Sequence, residues 1–530
     1  MALLLGIDIG TSATKAVLCE EDGAIVASCA SEHPIARPAP GWSEQSPEDW
    51  WDSTIRAVRG VLERAPGAAE RVAAIGLSGQ MHGSVLLGAS GTEGGRAAAL
   101  RPAILWNDQR SARECAEIEA AVGGRRRLVE LSGNAALPGF TLPKLLWLRR
   151  HEPELWARVR QVCLPKDFIA MRLTGALATD VGDAAGTLLL DVERRTWSPA
   201  LLGALGMDEA LLPPVVESAT VVGGVTRWAA ERTGMREGVP VATGSGDNMC
   251  GAVGAGVVAP GVVLASLGTS GVILAHSERA LRDLPATGPR ETAMPGRLHC
   301  MCAATDPRGW CVTGCMLSAG GALAWARGVL APEASFDDLL REAERAPAGC
   351  EGLVFLPHLT GERCPHADPL ARGGWIGLTA RHTRAHLIRS VVEGVTFGMG
   401  EILDLVRGLG IRPHAVRLTG GGNRSRLWRQ LQADVFETPV ETSDDEGGCA
   451  LGAAIIGASA IGRGPVGELA ALTVRVGEKI EPQTPACAQT RAAKQLFAHV
   501  FADLRMRFPE MAGVAGAGGA RAGGVAGGSA

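Results

Sequence analysis

One device restricts the fold of this chain more than any other feature, and it occurs once in each half. Leu3-Leu4-Leu5-Gly6-Ile7-Asp8-Ile9 is a short apolar run of strand type, broken by Gly10-Thr11-Ser12 and resumed at Ala16-Val17-Leu18. Far downstream, Val262-Val263-Leu264-Ala265-Ser266 leads into Leu267-Gly268-Thr269-Ser270 and resumes at Gly271-Val272-Ile273-Leu274. Apolar runs joined by a tight, glycine-bearing turn read as paired strands. Their recurrence in a chain of 530 residues suggests two related domains, within the roughly two to four that such a length accommodates.

Helical patterns separate the strand runs. Ser46-Pro47-Glu48 opens one that continues through Trp50, Trp51, Ile55, Val58 and Leu62, with Pro at an early helical position. Others are predicted over 111–121, 386–407 and 424–436. Strands alternating with helices predict an α/β architecture. The Gly/Ala-rich segment 512–530 reads as a flexible appendage.

Charge narrows the functional classes. Lys+Arg is 52 and Asp+Glu is 56, for a net charge of −4, so nothing draws the chain as a whole to nucleic acid or to an anionic membrane. The 13 cysteines are odd in number and scattered, which predicts reduced thiols and a cytoplasmic protein. No signal peptide is expected, because Met1–Leu5 is too short an apolar run and no basic region precedes it. Residues 248–275 lack charge over a length that could span a bilayer, but their glycines and Pro260 favour buried strands with tight turns. Cys300, Cys302, Cys311 and Cys315 cluster beside His299. Their spacing matches no common zinc motif, leaving buried small hydrophobes or a metal or redox site.

Four segments can carry chemistry. Asp8 precedes Gly10-Thr11-Ser12; backbone N–H groups and the two hydroxyls can cradle phosphate, and a carboxylate there is useful as a Mg²⁺ ligand, direct or through water. An ordinary Asp-capped turn is the alternative. A second such loop at Gly268-Thr269-Ser270 would let a polyphosphate be gripped from both sides. Thr419-Gly420-Gly421-Gly422-Asn423-Arg424-Ser425 makes a strand-to-helix turn that is neither the Walker pattern nor the dinucleotide fingerprint; it is a ligand loop or a plain turn. In Gly244-Ser245-Gly246-Asp247-Asn248, Asp247 is a general-base or helix-cap candidate. Gln80-Met81-His82 between glycines suits a polyhydroxylated ligand, or His82 is structural.

Together these segments resemble the FGGY family of carbohydrate kinases. Gly139-Phe140-Thr141-Leu142-Pro143-Lys144-Leu145-Leu146-Trp147-Leu148 is similar to the family's first signature. Gly374-Trp375-Ile376-Gly377-Leu378, with His386-Leu387 and Ser390-Val391-Val392-Glu393-Gly394, is similar to its second. Trp42-Ser43-Glu44-Gln45, Gly79-Gln80-Met81-His82-Gly83, Arg101–Asp108, Leu164–Asp167, Asp183–Thr187, Phe355-Leu356-Pro357 and Gly361-Glu362-Arg363 resemble the members that act on D-xylulose. The resemblance runs from about Leu4 to Phe508.

The resemblance implies two actin-like (ribonuclease H-like) ATPase domains with an interdomain cleft: a sugar-binding domain at 1–247, a nucleotide-binding domain at 248–511, then the tail. It implies ATP-dependent phosphorylation of D-xylulose to D-xylulose 5-phosphate, with ATP and Mg²⁺ as cofactors, no nucleic-acid or membrane partner, and a homodimer. Residue by residue, Asp247 falls at the catalytic base, Met81, His82 and Asn248 in the sugar site, and Asp8 at the Mg-ATP carboxylate. Gly10, Thr11, Ser12, Gly268 and Thr269 match the phosphate loops; Gly320, Gly421, Gly422 and Ser425 match nucleotide contacts. The chain departs from the family at 279–308, which is longer, at Met249-Cys250, and at His358, where Tyr is expected. The alternatives are a kinase for another ketose or polyol, and a non-catalytic sugar sensor or chaperone-like ATPase on the same fold.

Overall fold

The structure, a computed structural model, describes residues 2–90, 97–285, 294–305, 307–443 and 447–514. The chain packs as two compact units. The first comprises Met1–Val262, Leu274–Thr313 and Ser443–Val476, and the second Val263–Ile273, Gly314–Thr442 and the chain from Gly477 onward. This division differs from the expected boundary at 247/248. The helix Asp247–Gly254 packs on the helix Gly448–Ala460, and both are counted with the first unit.

The first unit is built on a sheet that begins as the expected meander. Leu3–Ile9, Ala13–Glu20 and Ile25–Glu32 pair antiparallel in sequence. Val72–Gly79 then lies parallel to Leu3–Ile9 on its other side, followed by Pro240–Ala242, also parallel, and Val221–Gly224 at the edge. The opening strand is apolar almost throughout because both faces are covered. The helix Pro47–Arg64 packs on the outer strands, burying Trp50, Val58 and Val61 with Leu18 and Ala27.

The helix Gly448–Ala460 packs on the two central strands, and glycine makes this possible. Gly6 and Gly76 are register partners. A Cβ on Gly6 would lie 1.7 Å from the Ala450 carbonyl oxygen, and one on Gly76 would lie 1.8 Å from that of Ala453. Backbone therefore rests on backbone.

The uncharged stretch 248–275 departs from the strand expectation at its start, where Asp247–Gly254 is a helix. Its small residues serve helix–helix approach: a Cβ on Gly254 would lie 2.4 Å from the Gly448 carbonyl oxygen. The remainder forms the strands Val262–Leu267 and Gly271–Ser277 as expected. Among the described residues, no helix is long and apolar enough to cross a membrane.

In the second unit, Gly271–Ser277, Val262–Leu267, Ala415–Thr419, Val440–Ser443 and Val476–Ile480 follow one another in a sheet, the unit boundary falling within several of these strands. Ala415–Thr419 and Val440–Ser443 run parallel, and the helices Arg384–Gly408 and Arg426–Phe436 pack on each other. Of the proposed tail, 512–514 is helical and 515–530 lies outside the described residues.

Candidate active site

Strand register assembles the first group of candidate residues. Asp8 pairs with Ser78, and Ser78 on its other side pairs with Ser245. These three residues form a row across one end of the sheet. Asp247 follows two residues after Ser245, at the first turn of the helix Asp247–Gly254. Gly244 makes the required turn with φ +68°, and a Cβ there would lie 1.6 Å from the Leu77 carbonyl oxygen.

Ser78 Oγ donates to Asp8 Oδ1 at 2.7 Å. Burial pushes the Asp8 pKa up, against that hydrogen bond and the charge of Lys15. Asp247 is half-buried, yet enough protein surrounds its carboxyl to raise the pKa to about 7, by desolvation first and then by the charge of Asp8. The backbone N–H of Asn248 acts in the opposite direction.

Gly10, Thr11 and Ser12 form the turn after the opening strand, closed by Gly10 N–H donating to the Ala13 carbonyl at 3.0 Å. Gln45 Nε2 donates to the Thr11 carbonyl at 2.7 Å, and Trp106 Nε1 donates to Thr11 Oγ1 at 3.0 Å. Gln80 Nε2 in turn donates to Gln45 Oε1 at 2.8 Å. The turn is thus held from beneath by side chains distant in sequence.

Met81 and His82 follow the strand Val72–Gly79. Met81 lies against Gly246, where a Cβ would come within 2.6 Å of Met81 Cγ, and Asn248 Nδ2 reaches Met81 Sδ at 3.6 Å. Asp247, Asn248 and Met81 are therefore neighbours. His82 takes the left-handed conformation, φ 69°. Its Nδ1 donates to the Gly186 carbonyl at 2.7 Å, a choice of tautomer that leaves Nε2 as an acceptor when the ring is neutral. The His82 carbonyl accepts from Lys144 Nζ at 2.8 Å and Thr141 Oγ1 at 3.0 Å. Lys144 is fully buried and also donates to the carbonyls of Ile104 and Leu105. Burial holds its pKa well below the usual lysine value.

Several contributors were not singled out from sequence. Lys166, Asp167, Asp180 and Asp183 form a buried ionic group, with Lys166 Nζ 2.6, 2.9 and 3.9 Å from the three carboxylates. Neither oxygen of Asp183 has a hydrogen-bond partner among the described residues. Burial pushes its pKa well above the usual carboxylate range, and Asp247 adds to the rise. The quoted segments 164–167 and 183–187 contain three of these four residues, but pairing across the fold is not encoded in spacing.

In the second unit, a cavity of about 620 Å³ is lined by Gly268, Thr269, Gly320, Gly421, Gly422 and Ser425. It brings together every nucleotide-contact candidate of that unit. Glycine permits the convergence: a Cβ on Gly320 would lie 2.6 Å from the Gly268 carbonyl oxygen, and one on Gly422 would lie 2.2 Å from Leu267 Cδ2. Leu323, Phe336 and Leu340 supply an apolar wall. Ser425 Oγ accepts from Trp428 N–H, capping the helix Arg426–Phe436.

The cysteine cluster behaves as packing. Cys300, Cys302 and Cys311 are buried on the hairpin of His299–Cys302 with Trp310–Met316, and burial pushes the thiols of Cys300 and Cys311 up to about 12. No group of three or more His, Cys, Asp or Glu among the described residues is arranged to hold a metal. Within the longer segment 279–308, residues 286–293 and Asp306 lie outside the described residues. Cys250 is buried and donates to the Ser245 carbonyl at 3.3 Å. His358 pairs with Glu362 at 2.9 Å, buried in the second unit.

The model of the N-terminal domain of the FGGY family of carbohydrate kinases matches residues 3–254, and that of the C-terminal domain matches 263–461. The chain is 41% identical over 453 residues to the xylulose kinase of Escherichia coli, covering 85% of this chain and 89% of that protein. It is 39% identical over 458 residues to that of Bacillus subtilis, covering 86% and 88%. A crystal structure of xylulose kinase from Rhodospirillum rubrum superposes with a TM-score of 0.84 at 31% identity, covering 96% of this chain and 99% of that one. One of gluconate kinase from Lactobacillus acidophilus gives 0.87 at 26%, again covering 96% and 99%.

Proposed function

The chain belongs to the FGGY family of carbohydrate kinases, and on that footing we propose that it transfers the γ-phosphoryl group of ATP to the terminal 5-hydroxyl of D-xylulose. The products are D-xylulose 5-phosphate and ADP. The observation that carries the reading is the grouping of Asp247, Asn248 and Met81 at the end of the first unit's sheet. The high identity to xylulose kinases supports the choice of sugar.

A sugar hydroxyl is a weak nucleophile near neutral pH. Asp247 accepts its proton as the oxygen attacks the γ-phosphorus, a contribution of about 10²–10⁴-fold. A carboxylate with a pKa of about 7 is a stronger base than an exposed one and still largely ionised just above neutrality. Met81, His82 and Asn248 orient the sugar. Positioning and charge neutralisation supply the rest, as they do in phosphoryl transfer generally.

In the second unit, the glycine-lined cavity receives the nucleotide, with the base on Leu323, Phe336 and Leu340 and the phosphates toward Gly268 and Thr269. In the first, Gly10, Thr11 and Ser12 offer N–H and hydroxyl donors to phosphate. Asp8 fits a Mg²⁺ role: Ser78 occupies Oδ1, while Oδ2 borders the Cβ-free Gly10. Mg²⁺ keeps water and substrate phosphate as most of its ligands, so one carboxylate oxygen of the protein can suffice. Mg²⁺ held at Asp8 would supply neutralisation of the phosphate charge. Cysteines that form no disulfide among the described residues suit a cytoplasmic enzyme.

A second reading, a kinase for another sugar acid, ketose or polyol, is favoured by the TM-score of 0.87 to the gluconate kinase, beside 0.84 to the Rhodospirillum rubrum xylulose kinase. A panel of D-xylulose, L-xylulose, D-ribulose, L-ribulose, glycerol and gluconate with Mg-ATP, followed by ADP release, tests both. Turnover confined to D-xylulose is expected. Preference for another sugar replaces the substrate and keeps the chemistry. ADP release that ignores sugar, or none at all, rejects the kinase assignment in favour of a sensor or chaperone-like ATPase.

A further inference from the structure

Asp180 sits at the start of the five-residue helix Val181–Ala185 and is fully buried. Its carboxylate gathers five donors. Oδ2 accepts from Gly182 N–H at 2.9 Å, Ser218 Oγ at 2.8 Å and Ser245 Oγ at 2.7 Å. Oδ1 takes Lys166 Nζ at 2.9 Å and Asp183 N–H at 3.3 Å. A buried carboxylate is tolerated when its lone pairs are met in this way.

Two of its connections lead to the residues assigned to chemistry. Ser245 belongs to the two-residue strand that ends at Gly246 and delivers Asp247. At the other end of the short helix, the Gly186 carbonyl accepts from His82 Nδ1 at 2.7 Å. The helix is confined at both ends. A Cβ on Gly182 would lie 2.3 Å from Ser245 Oγ, and one on Gly186 would lie 2.7 Å from the His82 ring.

We infer that Asp180 is a positioning residue that locks the general base Asp247, through Ser245, and the sugar ligand His82, through the helix Val181–Ala185 and Gly186, into a single frame. This rests on the roles given to Asp247 and His82 above. An amide at position 180 keeps the shape but offers one oxygen where the site needs two. Either the hydroxyls and Gly182 or the Lys166 ammonium then meets an NH₂ donor. The Ser245 strand and the short helix lose their common anchor. Misplacement of reacting groups by about 1 Å can cost on the order of 10²-fold in rate.

The test compares Asp180→Asn, Ser245→Ala, their double variant and Asp247→Asn, measuring kcat and the KM values for D-xylulose and Mg-ATP. Asp180→Asn and Ser245→Ala should each lower kcat/KM for the sugar by about tenfold or more, raise the sugar KM and leave the Mg-ATP KM unchanged. Because both act through one hydrogen bond, the double variant should lose no more than the worse single one. A purely structural role would reduce the amount of active enzyme without moving the sugar KM. Unchanged sugar KM, equal movement of both KM values, or multiplicative losses in the double variant would each overturn the inference. If Asp180→Asn does not fold, Ser245→Ala decides alone, since it leaves Asp180 its other four donors. Retained turnover in Asp247→Asn removes the base assignment beneath the inference. An inactive Asp247→Asn beside unaffected Asp180 and Ser245 variants overturns only the inference.

Discussion

Asp247 is held at a pKa of about 7 by desolvation first and then by the charge of Asp8. Register produces this relationship: Asp8 and Ser245 flank Ser78 on adjacent strands, and Asp247 leaves the sheet beside them. A base must be unprotonated to accept the sugar proton. The kcat/KM for sugar should therefore fall as pH drops through about 7, by about tenfold per unit below it, because this parameter reports the free enzyme. Asp8→Asn removes one cause of the raised value, so its residual activity should show the acidic limb at lower pH. A limb near pH 4 in the wild type, or one unmoved by Asp8→Asn, would contradict this electrostatic account.

His82 is fixed by the Gly186 carbonyl on its ring and by Lys144 on its own carbonyl. His82→Ala should raise the KM for sugar by about tenfold, the scale of one lost hydrogen bond to a buried polar partner, with the KM for Mg-ATP unchanged. Lys144→Met should move the same parameter in the same direction, because the His82, Ile104 and Leu105 carbonyls lose their common donor. Steady-state kinetics with each substrate varied in turn reads both. Parallel loss of sugar and ATP affinity in His82→Ala would make it a scaffold residue.

The contact of the helix Gly448–Ala460 with the central strands predicts a stability effect far from the chemistry. Gly76→Ala places a methyl where the Ala453 carbonyl oxygen already lies 1.8 Å away. Overpacking of this kind costs typically about 1–3 kcal/mol and sometimes more, and backbone cannot rotate aside as a side chain does. Thermal denaturation should show a clearly lowered midpoint. Gly67→Ala gives a control for clash: Gly67 has no atom near its would-be Cβ, and its cost should come from φ +78° alone.

The nucleotide cavity yields a contrast within one glycine run. Nothing lies within 4 Å of a Cβ on Gly421, whereas one on Gly422 would meet Leu267 at 2.2 Å. Gly421→Val should fold normally and raise the KM for ATP by narrowing the cavity, while the sugar KM holds. Gly422→Val should perturb the fold itself. Melting curves beside ATP titrations separate the two outcomes.

Local features were legible in the sequence. The meander, the Gly-Thr-Ser turns and the helix Pro47–Arg64 follow from apolar runs, turn residues and an early Pro, all encoded within a few neighbours. Asp247 and Asp8 stood out because each sits at a glycine-bearing loop beside an apolar run. Asp180 did not, since its importance comes from Ser218 and Ser245, which are 38 and 65 residues away. The helix Asp247–Gly254 was hidden for a related reason. Its glycines weaken local helix preference and serve close packing on Gly448 and Gly452, which the flanking sequence does not reveal. The apolar wall at Phe336 and Leu340 follows helical spacing, but only the folded second unit joins it to Gly421 and Gly422.

The most direct test of the account compares wild type and Asp247→Asn at saturating Mg-ATP and D-xylulose, with phosphorus NMR identifying the product and calorimetry measuring sugar binding. The wild type should convert ATP to ADP and a single sugar phosphomonoester. The variant should bind D-xylulose with nearly unchanged affinity and turn over at least about 100-fold more slowly. A variant that retains more than about a tenth of wild-type turnover would contradict Asp247 as the base, and ADP formed without a sugar phosphate would contradict the kinase reaction itself.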